Sequence, residues 1–310
     1  MPFFKRKRKP GWLALKVRGD QVDVAHVERG AGRPRVTLCD SYRLEAGEHE
    51  SLVRLRKELG LDAYWCTTLL DNNEYQLNVL DAPAVPAAEL KDAVRFRVKD
   101  IIDYPFESAT IDVLDIPIEE GARNHSVYAV SARNELVGRH VLRLQGAEIP
   151  LEAIDIPELA QRNVCALAEP ENRGVAMLAF DHDGGLLTMT YRGELYSSRR
   201  IETTLSRLTE ATPDARAQLH DRIALELQRS LDHFDRQFGF ITLAKLLLGP
   251  MPDPEPLREY LASNLYVPVE VFDFAAAVDL TAIPDLRDVE RQAYCLPILG
   301  AALRDAPVPA

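Results

Sequence analysis

The sequence predicts an α/β protein built in layers, and three observations carry that expectation. Strand-like alternation opens the chain, helix-spaced and strand-like segments then succeed one another to its end, and a proline-rich break near residue 83 sets off a module with its own helices and strands. A length of 310 residues allows two domains, or one large α/β domain, with a sizeable core.

The elements read in order. WLALKV, VDVAHVE and RVTLCDSYRLE alternate as strands, with RGD and GAGRP as turns, so residues 11 to 46 are a meander. HESLVRLRKEL (49 to 59) has helical spacing and stops before Gly60, a C′ candidate. AYWCTTLLD and EYQLNVLDAP return to strand character. A helix is expected from about Ala87 to Ile102, with Leu90, Val94, Val98 and Ile101 on its buried face; DYPF breaks it. ATIDVLDI and HSVYAVSA read as strands, NELVGRHVLRLQGA as an amphipathic helix, and EAIDIPELAQRNVCAL as a short strand feeding another helix. AEPENRG is the best linker candidate. VAMLAF, LLTMTY and LYSSRRIE follow as strands. QLHDRIALELQRSLDHFDRQF is then the longest clear helix, with Leu219, Ile223, Leu227, Leu231, Phe234 and Phe238 on one face. A strand (TLAKLLLG), a helix (PEPLREYLASNL), a strand (VPVEVFD) and a final helix (ERQAYCLPILGAALR) close the chain. No internal repeat is evident.

Composition excludes some functions. The charged fraction of 27% and apolar fraction of 46% suit a soluble globular protein, and a net charge of −11 argues against nucleic-acid binding while suiting a basic partner. Cys39, Cys66, Cys165 and Cys295 are scattered in apolar surroundings, with no metal-ligand spacing, so buried free thiols in a reducing cytoplasm are expected. No apolar run approaches the roughly 18 residues of a membrane span. The N-terminal MPFFKRKRKP lacks the apolar stretch of a secretory signal. Its cluster from Lys5 to Lys9, beside Phe3 and Phe4, is either a solvated tail or a weak contact for an anionic membrane surface.

Local chemistry offers no enzyme. The acidic stretch DHDGG (181 to 185) could hold a metal through Asp181, His182 and Asp183, or cradle a phosphate through Gly184 and Gly185. Neighbouring residues of an extended segment point to opposite faces, however, and the flanking runs are strand-like, so a hairpin turn is preferred. The histidines are dispersed, and neither a nucleophile motif nor a glycine-rich nucleotide motif is present.

One segment is more specific. PAVPAAELKDAVRFRVKDIIDYPFESATIDVLDI (83 to 116) resembles the stretch of PilM-family proteins that reads like P-x-VP-x-x-EL-x-x-AVRWE…YIPFP…V-x-D. Pro83, Val85, Pro86, Glu89, Leu90, Ala93, Val94, Arg95, Phe96, Ile102, Pro105, Phe106 and Asp112 fall in step. IALELQRSLDHFDRQF, LYVPVEVFDF and AYCLPILGAALRD match in order, and the resemblance is greatest to the MshI-type branch serving mannose-sensitive haemagglutinin (MSHA) pili.

The resemblance implies an actin-like fold of the FtsA, PilM and ribonuclease H kind: two α/β domains flanking a cleft, with a small inserted α+β subdomain. Residues 11–77 and 150–170, closed by helix 289–304, would form the first domain. Residues 78–149 would be the insertion, 171–288 the second domain with a reduced lid, and 1–10 a basic tail. It further implies a place on the cytoplasmic face of the inner membrane, in a type IV pilus assembly platform with its motor components. There the protein would hold the N-terminal tail of a PilN-like membrane protein in a groove between first domain and insertion. Arg95, Phe96, Ile102, Tyr104 and Phe106 are the candidate contacts.

The family also binds ATP, and here the sequence departs from it. Lys16 and Arg18 stand where the first phosphate loop has an acidic residue and a glycine. In the second loop Asp181 remains, but Asp183 replaces a glycine and Leu186 and Leu187 replace hydroxyl residues. Gly249 of the adenosine loop is followed by proline, and the lid segment ETTLSRLTEATPDARA is short. A phosphate loop needs glycine and convergent N–H groups, which carboxylates and leucines do not supply. The expectation is therefore a non-enzymatic adaptor without cofactor. The alternative is a nucleotide-binding ATPase or switch, in pilus or type II secretion assembly, using Mg-ATP near Lys16 and Asp181.

Overall fold

A computed structural model describes residues 8–45, 47–118 and 125–305. The opening alternation becomes an antiparallel meander of β1 (Trp12–Arg18), β2 (Gln21–Glu28) and β3 (Arg35–Arg43). Helix α1 (Glu48–Leu59) ends where Gly60 turns left-handed, at φ 65° and ψ 42°, and donates its N–H to the Arg56 carbonyl. β4 (Trp65–Leu69) then pairs parallel to β1.

The inserted module has a three-stranded sheet of β5 (Tyr75–Asp81), β6 (Ala109–Ile116) and β7 (Ser126–Arg133), in the order β5-β7-β6. Its helix α2 (Ala87–Val98) is shorter than expected: regular helix stops at Val98, and the chain to Ile102 continues as turns with Ile102 N–H still bonded to the Val98 carbonyl. Val94 and Val98 bury against Ala109, Ile111, Val127 and Ala129 on one face of this sheet. Helix α3 (Asn134–Gly146) leads back to the first sheet, where β8 (Leu151–Asp155) pairs with β4 and helix α4 (Pro157–Cys165) follows.

The second half has strands β9 (Gly174–Phe180), β10 (Gly185–Tyr191) and β11 (Glu194–Ile201), then short helix α5 (Leu205–Thr209) and long helix α6 (Pro213–Gln237). After these come β12 (Leu243–Leu248), α7 (Glu255–Asn264), β13 (Val269–Val271), α8 (Phe274–Ala277) and α9 (Val289–Ala302). α5 and α8 are too short to show a helical period in sequence. Each is marked by its cap: Thr204 and Asp273 accept the N–H of Arg207 and Ala276.

The first sheet runs β3-β2-β1-β4-β8 and the second β11-β10-β9-β12-β13, the same wiring twice. No sequence repeat announces this, because wiring needs only matching apolar periods and turns, not matching residues. α1 and α3 cover one face of the first sheet, over Leu13, Leu15, Val22 and Val24. α4 and α9 lie between the sheets, packed on Ala14, Ala25 and Val36 on one side and on Val175, Met177 and Leu247 on the other. α6 and α7 cover the far face of the second sheet through Ile223, Leu227, Leu231 and Leu261. At the crossing of α4 and α9, a Cβ on Gly300 would stand 2.3 Å from the Ala160 carbonyl oxygen, so only glycine allows the approach. All four cysteines are buried free thiols; burial pushes those of Cys66 and Cys165 up to about 12, which leaves them unreactive.

Candidate functional site: the interdomain crevice and the inserted module

A polar crevice of about 670 Å³ opens between the two domains, at the end of the sheets where β1 turns into β2 and β9 into β10. Its walls come from Arg18 and Gly19, the Asp71–Glu74 segment after β4, Arg139 and His140 of α3, and His182, Asp183 and Arg200 of the second domain.

Its cations are largely spoken for. Lys16, buried, reaches Asp71 at 2.7 Å. Arg18 lies 3.3 Å from Asp23, its guanidinium 5.2 Å from the Tyr294 ring. Asp23, also buried, accepts from Ser41 at 2.6 Å, Gln21 at 2.9 Å and Tyr294 at 3.0 Å. Arg143 pairs with Glu48 at 2.7 Å and His140 with Glu74 at 2.9 Å. Arg139 alone faces the crevice with only a loose neighbour, Glu135, 3.6 Å away on its own helix. An anion entering here would have to displace carboxylates already held at hydrogen-bond distance, in a geometry that offers it little new.

The first four residues of DHDGG, 181–184, are the connection of the β9–β10 hairpin, and Gly185 opens β10. Asp181 N–H donates to the Gly184 carbonyl, and its carboxylate accepts the N–H groups of Asp183 (2.8 Å) and Gly184 (3.1 Å), a closed Asx turn. Ligand atoms of Asp181, His182 and Asp183 all lie within 4.8 Å of one another. Asp181, however, spends an oxygen on the turn, and Asp183 accepts from Asn72 at 3.1 Å. The glycines answer to packing. A Cβ on Gly184 (φ 146°) would stand 2.5 Å from the Ile201 carbonyl oxygen, and one on Gly185 would stand 2.8 Å from the Phe180 ring. Gly249 is likewise pressed on Ala179, where a Cβ would meet another at 2.7 Å.

Behind the hairpin, the space bounded by Phe180, Asp181, Leu186, Ala293, Leu296 and Pro297 is about 20 Å³, room for no more than a water. The Asp181 carboxylate and the N–H groups of Asp183 and Gly184 are thus taken up by the turn itself. A separate cavity of about 150 Å³, lined by Leu208, Arg216, His220, Met251 and Leu257, lies in the second domain beside the loop after Gly249. Burial holds its His220 below the ordinary histidine value, with Arg216 adding to the same effect.

Sequence reasoning missed the group that ties the molecule together. Tyr75 opens the inserted module, Glu158 lies in the first turn of α4, and Arg200 is on β11 of the second domain. Tyr75 donates its hydroxyl to Glu158 at 2.5 Å, and Arg200 donates to Glu158 at 2.9 and 3.2 Å and to Tyr75 at 2.9 Å. Burial raises the Tyr75 phenol. Burial also opposes the charge on Arg200, but Glu158 and Tyr75 more than offset this and hold its guanidinium above the usual value. The only trace in sequence is the polar run DNNEY between two apolar strands, whose Asp71, Asn72, Glu74 and Tyr75 contact β1, the β9–β10 turn, α3 and α4 in turn.

The five candidate contact residues all fall on the inserted module, at the C-terminal half of α2 and the segment after it, and none lines the crevice. Ile102, Tyr104 and Phe106 pack partly buried against the module's core. The Arg95 guanidinium is 5.9 Å from the Phe106 ring and that of Arg133 is 4.4 Å from the Tyr104 ring. The Tyr104 hydroxyl is buried without a hydrogen-bond partner. Phe96 differs from the rest: it is 71% exposed. β5 is an edge strand bearing Val79, 52% exposed, and pairs only with β7 among the described residues.

Of the basic cluster, Lys5 to Lys7 and the neighbouring Phe3 and Phe4 lie outside the described residues. Arg8 stacks 3.7 Å over Trp65 and pairs with Glu152 at 2.5 Å, and Lys9 donates to the Tyr64 hydroxyl at 2.8 Å. Among the described residues no helix is long and apolar enough to cross a membrane.

No protein-family model matches the chain, and no curated protein does. Solved structures do. The chain is similar to a structure described as the PilM-PilN type IV pilus biogenesis complex, with a TM-score of 0.69, 20% identity, and coverage of 94% of this chain and 98% of that one. More distant are a Bacteroides thetaiotaomicron protein with an actin-like ATPase fold (TM-score 0.47, 11% identity, 95% and 99% covered) and the cytoplasmic domain of EpsL from the Vibrio cholerae type II secretion system (TM-score 0.42, 14% identity, 65% and 75% covered). The chain has the actin-like, PilM-like fold: two α/β domains of one wiring about a crevice, with a small inserted α+β module.

Proposed function

We propose that this protein is a non-enzymatic adaptor in the inner-membrane platform of a type IV pilus, of the MSHA kind, and that it holds the cytoplasmic tail of a PilN-like protein. The observation that carries the adaptor reading is the crevice chemistry. Lys16, Arg18, Arg143 and Arg200 each already have a carboxylate partner within 3.3 Å, and the space behind the second hairpin is about 20 Å³. These ion pairs, with the Asx turn of the second hairpin, support a crevice that takes no triphosphate.

The binding reading is supported by the inserted module. Phe96 offers apolar surface, the β5 edge offers unpaired backbone groups beside Val79, and a net charge of −11 suits a tail that is basic under the positive-inside rule. Ile102, Tyr104 and Phe106 would act by holding Phe96 and Arg95 in place. The protein would then sit peripherally on the cytoplasmic face, its basic N-terminus near anionic lipid.

A second reading, a nucleotide-responsive switch, is favoured by one feature, the cavity of about 150 Å³ beside the adenosine-loop segment. Calorimetry with Mg-ATP and with a peptide of the partner's tail separates the two. The adaptor reading expects heat from the peptide and none from the nucleotide. Saturable Mg-ATP binding would overturn the vestigial crevice, and an inert peptide would overturn the partner assignment.

A further inference from the structure

At the end of the molecule opposite the crevice, a second interdomain notch of about 500 Å³ lies where the chain crosses from α4 to β9. The first domain contributes Arg29 and Arg162, the crossover Arg173, and the β10–β11 turn Arg192. Four guanidinium groups line the notch against three carboxylates, Glu169, Glu171 and Asp305, a small positive excess on a protein of net charge −11. We infer that this notch binds an oxyanion group, a phosphate or carboxylate, held jointly by the two domains.

The pairing of the walls supports this. Arg29 is held by Asp305, and Arg162 has Glu194 at 3.5 Å. Arg173 donates only to the Leu243 carbonyl at 3.1 Å. Arg192 donates only to the Asn172 side chain at 3.3 Å, its guanidinium 5.0 Å from the Tyr191 ring. Neither has a carboxylate partner among the described residues. Of the nearby acids, Glu169 accepts the Gly193 N–H on one oxygen at 2.8 Å, which braces the turn, and its other oxygen is buried with no hydrogen-bond partner among the described residues. That leaves Glu171 as the one acid on the wall with no partner in the notch.

The backbone adds a second, independent argument. Arg192 (φ 53°) and Gly193 (φ 75°) form a two-residue hairpin turn with both φ angles positive, where asparagine and glycine are favoured. A long side chain at the first position is strained, and strain of this kind concentrates where a side chain is needed in a particular place. Asn172, at φ 56°, stands across the notch as its partner. Two guanidinium forks that lack carboxylate partners, one of them carried on a strained turn, keep donors for an oxyanion.

The test follows thermal unfolding and calorimetric binding with inorganic phosphate at constant ionic strength. Arg192→Asn suits the turn while removing the charge, so loss of binding cannot be blamed on misfolding. The expected result is a saturable stabilisation of the wild type whose midpoint weakens about tenfold in Arg192→Asn, the loss of one charge-assisted bond. Arg173→Ala should weaken it similarly, and Arg139→Ala, in the crevice, should not. Equal responses of wild type and Arg192→Asn, or no saturable response, would overturn the inference. Loss in Arg139→Ala alone would place the anion in the crevice, overturning this inference and weakening the adaptor reading instead. Pyrophosphate and a glutamate-rich peptide, compared on the wild type, assign the group to a free ligand or to a protein partner according to which binds more tightly.

Discussion

Replacing Arg200 by alanine would cut a group in which all three parts of the molecule meet. Arg200 makes two hydrogen bonds to Glu158 and one to Tyr75, and the Glu158 side chain is only 5% exposed. Breaking a fully buried ion pair costs roughly 3–5 kcal/mol, because the surviving charge is stranded. Here the Arg200 side chain is 36% exposed, so water already shares its solvation, and Glu158 keeps its bond from the Tyr75 hydroxyl. The expected loss is therefore about 2 kcal/mol, or about 3 °C in Tm for a chain of 310 residues. Urea unfolding of Arg200→Ala, Glu158→Gln and the double variant measures it as a cycle. Coupling of about 1 kcal/mol or more is expected between the two sites. Additive effects, or a loss below about 0.5 kcal/mol for Arg200→Ala, would refute the claim that this triad joins the module to both domains.

Three further outcomes are expected. Gly300→Ala should destabilise by about 1–3 kcal/mol in chemical denaturation, since its Cβ would meet the Ala160 carbonyl oxygen at 2.3 Å and α9 would be forced off α4; an unchanged midpoint would mean the helices cross more loosely. Stability should fall as pH drops below 6.5. Burial lowers His26 and His220 in the fold, so the unfolded chain takes up protons the fold refuses, while above the unfolded value the contribution is complete. Urea midpoints at about pH 7.5 and about pH 5.5 check this, and His220→Gln should flatten the difference. Phe96→Ala should weaken capture of the partner tail about tenfold or more with an unchanged circular dichroism spectrum and Tm, because the side chain is 71% exposed and packs on little of the fold.

Much of the fold was legible because it depends on local signals. The period-two alternation of WLALKV places Leu13 and Leu15 on one sheet face and Ala14 on the other, and that division survives into two separate core layers. Gly60 reads as a helix stop and becomes one. DHDGG reads as a turn, and the Asx bonds of Asp181 close it. α2 was overdrawn by four residues, because Ile101 and Ile102 keep the apolar spacing after the backbone has left the helix.

What the sequence could not determine lies in contacts between residues far apart in the chain. Nothing in the sequence pairs Lys16 with Asp71, which folding brings to 2.7 Å of it, or Arg18 with Asp23 and Tyr294. Tyr75, Glu158 and Arg200 carry no shared pattern, yet three elements deliver them to one point. Local propensity and periodicity are properties of neighbouring residues and so survive in a single sequence. Whether a charge is free or neutralised is a property of the assembled crevice, set by which strand ends and helix starts the fold brings together.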